Sequence, residues 1–480
     1  MKHKRITELI KIEDVRAWSK GDTIMISAPT GTGKSYFIKN IIYLVAAERK
    51  KKILFLVHRK RCKQQFFDEL KKSNKLDVID VVTYQTIEKR KDFDLSKYEY
   101  IVCDEFHYFT SDSNFNYKTD ISLEKILNTN SIKIFMSATG KLMNAYIKNR
   151  KKVKTIDYKI DDDFGWMKLH FYNKDKTLEV VIDEVLEKEE KILIFIDNAE
   201  KAYNLYRKYK DKCLFCCAEN NRYYTHVDEI KIEEMLEQES FPTNILITTN
   251  CLDAGINLID DNIKTIVCDI RDIGVLVQCL GRKRRKENEK VDVYIKNISN
   301  QQLGAVKRDL NKALNMVRDL ENMKIDEWTY KYSKEDNKLY GTLVYDEGSE
   351  KKVNELMKFK ILERIVAIEM IVGNKEEGLK GMGYKNYLKN NVFNIEESID
   401  EETYYEEIEL KEWLRNIQGK KLFKEEQKAL INKINVRVDG KQQRSYSKLN
   451  NGLKMLNLPY VILPKKSGNE RYWVVEDIAI

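Results

Sequence analysis

No stretch of this 480-residue chain reaches the roughly 18 consecutive apolar residues that a membrane-spanning helix needs. The basic start, Met1-Lys2-His3-Lys4-Arg5, leads into no signal-peptide core. We therefore expect a cytoplasmic protein with no membrane partner. Cysteine is too sparse for a disulfide scaffold, at eight residues in a chain of this length. Cys103, Cys251, Cys268 and Cys279 lie beside or within apolar runs, where a free thiol packs as a small hydrophobe. Cys213, Cys216 and Cys217 contain a CxxC, but no second pair follows and only the distant His226 offers a further ligand. Buried thiols of a strand are the simpler reading. Proline is also scarce, at four residues, which goes with Lys-, Ile- and Asn-heavy usage and carries no function. Neither sign of charge is lacking: 86 basic residues face 77 acidic ones, for a net +9. That balance fits a polyanion partner and equally a well-solvated surface. The length suits about three domains, each able to bury a core.

What the chain does have is a short apolar run, Ile24-Met25-Ile26, that enters Ser27-Ala28-Pro29-Thr30-Gly31-Thr32-Gly33-Lys34-Ser35 and continues as an amphipathic helix to about Glu48. This is the P-loop pattern with Ala28 in the first-glycine place. Thr30, Gly31, Thr32 and Gly33 form the loop, whose glycines let backbone N–H groups turn toward phosphate oxygens at a helix N-terminus. Lys34 suits the β- and γ-phosphates of ATP, and Ser35 suits Mg²⁺. The bland alternative is a glycine turn with a chance Lys-Ser behind it. The strand before and the helix after favour the nucleotide site. No polar signature for reading adenine precedes it.

Further strand-like runs follow: Lys52 to Val57, ending at His58-Arg59; Val78 to Val82, ending at Thr83-Tyr84-Gln85; Tyr100 to Cys103, ending at Asp104-Glu105-Phe106-His107; and Ile132 to Met136, ending at Ser137-Ala138-Thr139-Gly140. Strands alternating with helices predict a parallel α/β sheet, in which ligands gather at the carboxyl ends of strands. Asp104 is placed to hold Mg²⁺ and Glu105 to orient an attacking water. Standing alone, an Asp-Glu pair would read as a solvated turn. The pattern loosens at Asp161-Asp162-Asp163-Phe164-Gly165, and a second α/β run begins with Lys191 to Ile196, ending at Asp197-Asn198. Ile245-Leu246-Ile247-Thr248-Thr249 continues to Asp253-Ala254-Gly255-Ile256-Asn257, a strand and loop able to present donors to a phosphodiester. Val277-Gln278-Cys279-Leu280-Gly281-Arg282-Lys283-Arg284-Arg285 then reads either as a solvent-facing basic helix or as a trigger for phosphate. Arg282 and Arg285 are three apart, which on a helix gives them one face.

Taken in order, Thr30 to Ser35, Asp104-Glu105-Phe106-His107 and Ser137-Ala138-Thr139 resemble motifs I, II and III of the superfamily 2 helicases, the DEAD/DEAH-box (DExH-type) family. His58-Arg59 stands at motif Ia, Thr83-Tyr84-Gln85 at the Ib/Ic region, and Asp197-Asn198 at motif IV. Thr249 to Asn257 stands at motif V and Gln278 to Arg285 at motif VI. The resemblance covers about residues 24–290. Motif Ia lacks its usual proline, and Asn257 replaces a more frequent Asp. The resemblance implies two tandem RecA-like parallel-sheet domains, residues 1–160 and 161–300, with ATP and Mg²⁺ as cofactors. It implies catalytic roles for Asp104, Glu105, Gln278, Arg282 and Arg285, the two arginines acting as fingers on the γ-phosphate. Arg59, Thr83, Gln85, Asn198 and Thr249 would contact nucleic acid, and Ser137, Thr139 and Gly255 would couple the two events. DNA is preferred over RNA as partner; protein partners stay open.

Residues 301–418 look mainly helical. Leu303, Val306, Leu310, Leu314 and Val317 recur at helical spacing, as do Leu356, Phe359, Leu362, Ile365, Val366 and Ile368. An acidic segment, Glu396 to Glu412, reads as a spacer or solvated helix. From residue 419 to 480 the chain turns basic, with a serine-capped helix after Ser445 and two strands around a Lys-Lys-Ser-Gly turn. This is either a winged-helix-like nucleic-acid-binding module or a basic cap on the core. The function expected is a nucleic-acid-dependent ATPase or helicase. The alternative is an ATP-switched DNA-binding replication initiator, or a remodeller without unwinding.

Overall fold

The computed structural model describes residues 5–478 other than 91, 250–256, 287, 333–338, 340, 375, 439–440 and 457. Gly255 therefore lies outside the described residues. The chain divides into two compact units, Met1–Leu169 with Ile182–Glu397, and His170–Val181 with Ser398–Ile480.

The first unit holds two parallel sheets of RecA-like type. In the first, the strands are β1 (Thr23–Ser27), β2 (Lys52–Val57), β3 (Ile79–Thr83), β4 (Tyr98–Asp104), β5 (Ile132–Ser137) and β6 (Ile156–Lys159), in the order β3-β2-β4-β5-β1-β6. All pairings are parallel. Parallel strands covered on both faces read as unbroken apolar runs. Here one face packs Ile24, Ile26, Ile53, Phe55 and Val102, and the other packs Met25, Leu54, Leu56, Ile101 and Phe135. Because β5 lies between β4 and β1, Asp104 aligns with Met136 and Ser137 with Ser27. The P-loop, the Asp-Glu pair and the Ser-Ala-Thr turn thus leave adjacent strands at one edge.

The chain continues through β7 (Met167–Tyr172), which passes from the first unit into the second, then β8 (Lys191–Ile196), β9 (Cys213–Cys216), β10 (Ile245–Thr248), β11 (Ile263–Asp269) and β12 (Val291–Lys296). Five of these pair in parallel in the order β12-β11-β8-β10-β9. Cys213, Cys216 and Cys217 are buried and form no disulfide, as expected. Beyond β12, helices Asn300–Asn322 and Glu355–Val372 share a core containing Met316, Val317, Trp328 and Ile361. Leu356 also enters the first sheet's core, while Leu362 and Val366 face solvent, so the apolar stripe expected on that helix is buried only in part.

In the second unit, Ile399 and Asp400 pair in parallel with His170 and Phe171. His170 Nδ1 lies 2.5 Å from Glu401 Oε1, both side chains being buried. Helices Glu401–Ile417, Lys424–Ile434 and Tyr446–Met455 precede the hairpin Tyr460–Ser467 and Glu470–Asp477. Leu422 bridges Trp473 between the first two helices. The order is thus helix, bridging residue, helix, a short two-stranded ladder (Arg437–Val438 with Lys441–Gln442), helix and hairpin. The acidic helix is not a free spacer: Leu410 and Leu414 enter the core with Leu430, Leu449 and Leu453. Leu410 and Leu414, four apart, lie on one face of the helix and anchor it there. No helix among the described residues is long and apolar enough to cross a membrane.

Candidate active site

The loop after β1 turns through Gly31 (φ +84°) and Gly33 (φ +88°), left-handed conformations that favour glycine. Thr32 Oγ1 donates to Pro29 O at 2.8 Å and closes the loop. Lys34 Nζ donates to Ala28 O at 3.1 Å and stands 3.7 Å from Glu105 Oε1. The helix behind runs through Lys34–Tyr36, a wider π turn at Phe37–Ile42, and Tyr43–Glu48.

Glu105 follows β4 with φ +48°, an uncommon conformation for a residue with a Cβ. This turn aims its carboxylate at Lys34, at Ser137 Oγ (3.3 Å) and at His107 Nδ1 (3.3 Å). Ser137 is a hub: its Oγ also meets His107 Nδ1 at 2.9 Å and accepts from Thr139 N at 3.0 Å. Burial and the adjacent Glu105 push Asp104 above the usual carboxylate range. Burial also works to raise Glu105, but Lys34, the His107 hydrogen bond and Arg282 hold it well below the usual carboxylate range. Tyr84 O–H donates to Asp104 O at 2.8 Å, tying the residues after β3 to this turn.

The second sheet supplies the opposing wall. Helix Ile273–Leu280 is capped by Asp272, whose side chain accepts from Val275 N. Gln278 Nε2 donates to Thr139 Oγ1 at 2.9 Å, and Thr30 Oγ1 lies 3.5 Å from Gly281 O. Arg282 is buried, its Nε donating to Gln278 O at 3.1 Å. The expectation that Arg282 and Arg285 share a helical face does not hold, because the helix ends at Leu280. Lys283 instead forms a parallel bridge with Leu258. A cavity of about 350 Å³ is lined by Gly31, Gly33, Lys34, Ser35, Asp104, Glu105, His58, Arg282 and Arg284. A smaller one, about 60 Å³, is lined by Thr30, Glu105, Thr139, Gln278, Arg282 and Arg285, together with Asp162, Asp163 and Trp166. The Asp104-Glu105 pair, the P-loop, Gln278 and Arg282 are therefore brought together.

Of the residues expected to meet nucleic acid, Arg59 precedes helix Lys60–Lys72 and is exposed. Gln85 Nε2 donates to His58 O at 3.3 Å. Thr83 is buried beside Thr86, their hydroxyls 3.1 Å apart. Asn198 caps helix Ala199–Lys208 by accepting from Lys201 N, and Thr249 is buried after β10. Sequence reasoning missed Arg284, Trp166 and His58. Arg284 stood inside the basic run but its direction is set by the bridge from Leu258 to Lys283, far from it in sequence, and His58 was noted only beside Arg59.

Asp104 Oδ1 is buried with no hydrogen-bond partner, an arrangement that is costly unless something meets it. Mg²⁺ fits that oxygen together with the Ser35 hydroxyl lining the same cavity. Among the described residues no cluster of three or more His, Cys, Asp and Glu could hold a metal by itself. A Mg²⁺ ion shared with phosphate oxygens and water needs none.

Residues 2–78 match the family model described as "Type III restriction enzyme, res subunit". With its motifs in order around one cleft, the chain resembles the superfamily 2 helicases. No curated protein matches it. Among solved structures, it is similar to Dbp5 of S. cerevisiae bound to RNA and ADP BeF3, at 17% identity over 60% of this chain and 82% of that one, with a TM-score of 0.45. It is also similar to a DEAD box protein of the hyperthermophile Methanococcus jannaschii (18%, 60% and 86%, TM-score 0.34). A third is Xpd4 of S. tokodaii (12%, 61% and 94%, TM-score 0.40). At these scores the likenesses decide nothing about what this chain binds.

Proposed function

We propose that this protein is a nucleic-acid-dependent ATPase of the superfamily 2 helicase type, coupling ATP hydrolysis to movement on, or unwinding of, nucleic acid. The observation that carries this is one cavity lined by Lys34, Asp104 and Glu105 from the first sheet and by Arg282 from the second. Phosphoryl transfer needs positioned cations and a placed water more than covalent help from the protein. Lys34 and the loop N–H groups hold the phosphate oxygens. Glu105 accepts a proton from the attacking water as its oxygen bonds to the γ-phosphorus and the bridging oxygen leaves on ADP. Arg282 offsets charge as it spreads over the transferring group. Ser35 and Asp104 would hold Mg²⁺, which would supply further charge neutralisation. Ser137 and Thr139 link Glu105 to Gln278 and so to the second sheet.

Arg59, Thr83, Gln85, Asn198 and Thr249, all at strand ends, form the proposed track for a strand, with Gly255 as a further coupling residue. DNA is preferred over RNA because of the winged-helix-like unit, where Arg444, Lys448, Lys454, Lys466 and Arg471 are exposed. That unit also favours a second reading, a DNA-binding replication initiator or remodeller switched by ATP without unwinding. The test is the ATPase rate of the full chain with single-stranded DNA, duplex DNA, single-stranded RNA and no polymer, beside a strand-displacement assay. Stimulation by DNA with displacement supports the helicase, and stimulation without displacement the remodeller. Equal rates under all four conditions remove the nucleic-acid-dependent motor.

A further inference from the structure

Helix Ile273–Leu280 stops before the arginines, and a distant residue sets the path of the chain beyond it. Leu258 N donates to Arg282 O at 2.9 Å, and Arg284 N donates to Leu258 O at 2.8 Å. This bridge holds residues 282–284 extended, so side chains alternate in direction. Lys283 turns inward, fully buried, with its Nζ 2.6 Å from Glu289 Oε1. Arg282 and Arg284 accordingly share the opposite side. The Arg284 guanidinium reaches the P-loop: its Nη1 lies 3.2 Å from where a Cβ on Gly31 would stand. Both arginines line the larger cavity with Lys34 and Ser35. Arg285 leaves the other way, its guanidinium carbon 4.1 Å above the Trp166 ring, and lines only the smaller cavity, near Asp162 and Asp163.

We propose that Arg284, and not Arg285, is the second arginine on the ATP phosphates, acting with Arg282. This rests on the ATPase reading. It departs from the motif spacing, which pairs Arg282 with Arg285. An extended strand gives two forked cations the same outlook at i and i+2, where a helix would need i and i+3. Two guanidinium groups set side by side repel each other, and a polyphosphate facing both resolves that repulsion. Arg285 is left to brace the segment between the sheets by stacking on Trp166.

The experiment uses the full chain and its R284A, R284K, R285A and K34A variants. One readout is equilibrium affinity for a fluorescent ATP analogue against its ADP counterpart, and the other is kcat on single-stranded DNA. R284A should lose at least tenfold of the preference for ATP over ADP, and about 10²-fold or more in kcat. R284K, which keeps the charge without the fork, should regain binding but not kcat; an unchanged melting temperature excludes misfolding. The assignment is overturned if R284A keeps both the ATP preference and kcat within threefold of wild type while R285A loses them. If K34A binds and hydrolyses ATP like wild type, the ATPase reading itself falls. An inert K34A beside a wild-type-like R284A sinks only the role of Arg284.

Discussion

Glu105→Gln isolates charge from shape. The amide keeps the side chain's size and one acceptor for Ser137 Oγ, but it removes the negative charge 3.7 Å from Lys34 Nζ. Binding and turnover should respond with opposite signs. Losing a positioned base costs about 10²–10⁴ in rate, equivalent to roughly 3–5 kcal/mol on the barrier. The ion pair itself, at an effective dielectric of about 20, is a Coulomb attraction of about 4 kcal/mol before solvation of the partners is counted. ATP must draw Lys34 away from Glu105, so removing the carboxylate relieves that competition. A net gain on the order of 1 kcal/mol, about fivefold in affinity, is expected after solvent screening. Single-turnover hydrolysis with labelled ATP gives the first quantity, and titration with a fluorescent ATP analogue gives the second. A variant that hydrolyses within tenfold of wild type refutes the role of Glu105. One that loses ATP affinity together with turnover refutes the competition argument.

Gly140→Ala places a Cβ 2.5 Å from Phe106 Cζ, a buried ring that meets Phe135 edge-on, and should destabilise by about 1–3 kcal/mol in urea unfolding. Gly304→Ala, inside helix Asn300–Asn322 with nothing within 4 Å of the added Cβ, should stabilise by about 0.5–1 kcal/mol in the same assay. His58 is lowered from 6.5 to about 3, chiefly by burial and then by Arg59 and His107, and its Nε2 has no hydrogen-bond partner. The unfolded chain therefore takes up this proton first, and acid favours unfolding: stability falls as pH drops below 6.5 toward 3. About 2 kcal/mol should be lost from this group by pH 5, and His58→Asn should flatten that part of the urea-midpoint profile. The Gln278–Thr139 hydrogen bond at 2.9 Å should give a coupling of about 0.5–1.5 kcal/mol in a Gln278→Ala, Thr139→Val double-mutant cycle on kcat, and additive losses would refute it.

The parallel sheets were legible because strands buried on both faces leave apolar runs, and because polar residues at their ends mark the ligand edge. Asp104-Glu105 and Ser137-Ala138-Thr139 were readable for that reason. The arginines were less so. A local pattern carries helix spacing past Leu280, but the residue that straightens the chain, Leu258, lies 25 positions upstream of Lys283. No window around Arg282 contains it. The acidic helix Glu401–Ile417 was legible only in part: it is a largely solvated helix, as its charges suggest, but two leucines four apart anchor it in the core. Asp162, Asp163 and Trp166 read as a loosened boundary between two sheets, yet they line the smaller cavity. A break in periodicity marks where a chain leaves one sheet, and says nothing of what it passes on the way.

Two direct hydrogen bonds link Thr139 and Thr30 of the first sheet's loops to the helix Ile273–Leu280 and the residue after it. Gln278 to Thr139 is well formed, while Thr30 to Gly281, at 3.5 Å, is at the limit of one. Bonds of this kind contribute about 1 kcal/mol each. Moving a two-state equilibrium from one extreme to the other takes on the order of 5 kcal/mol of differential binding. A polyphosphate touching Lys34 on one side and forked cations on the other could supply that difference, since each charge-assisted contact exceeds a neutral one about twofold. ADP, with one phosphate fewer, would reach fewer of those cations. If the nucleotide engages Arg282 and Arg284 as proposed, R284A should weaken coupling between polymer binding and hydrolysis as well as the rate, and an unchanged stimulation by polymer in R284A would count against this.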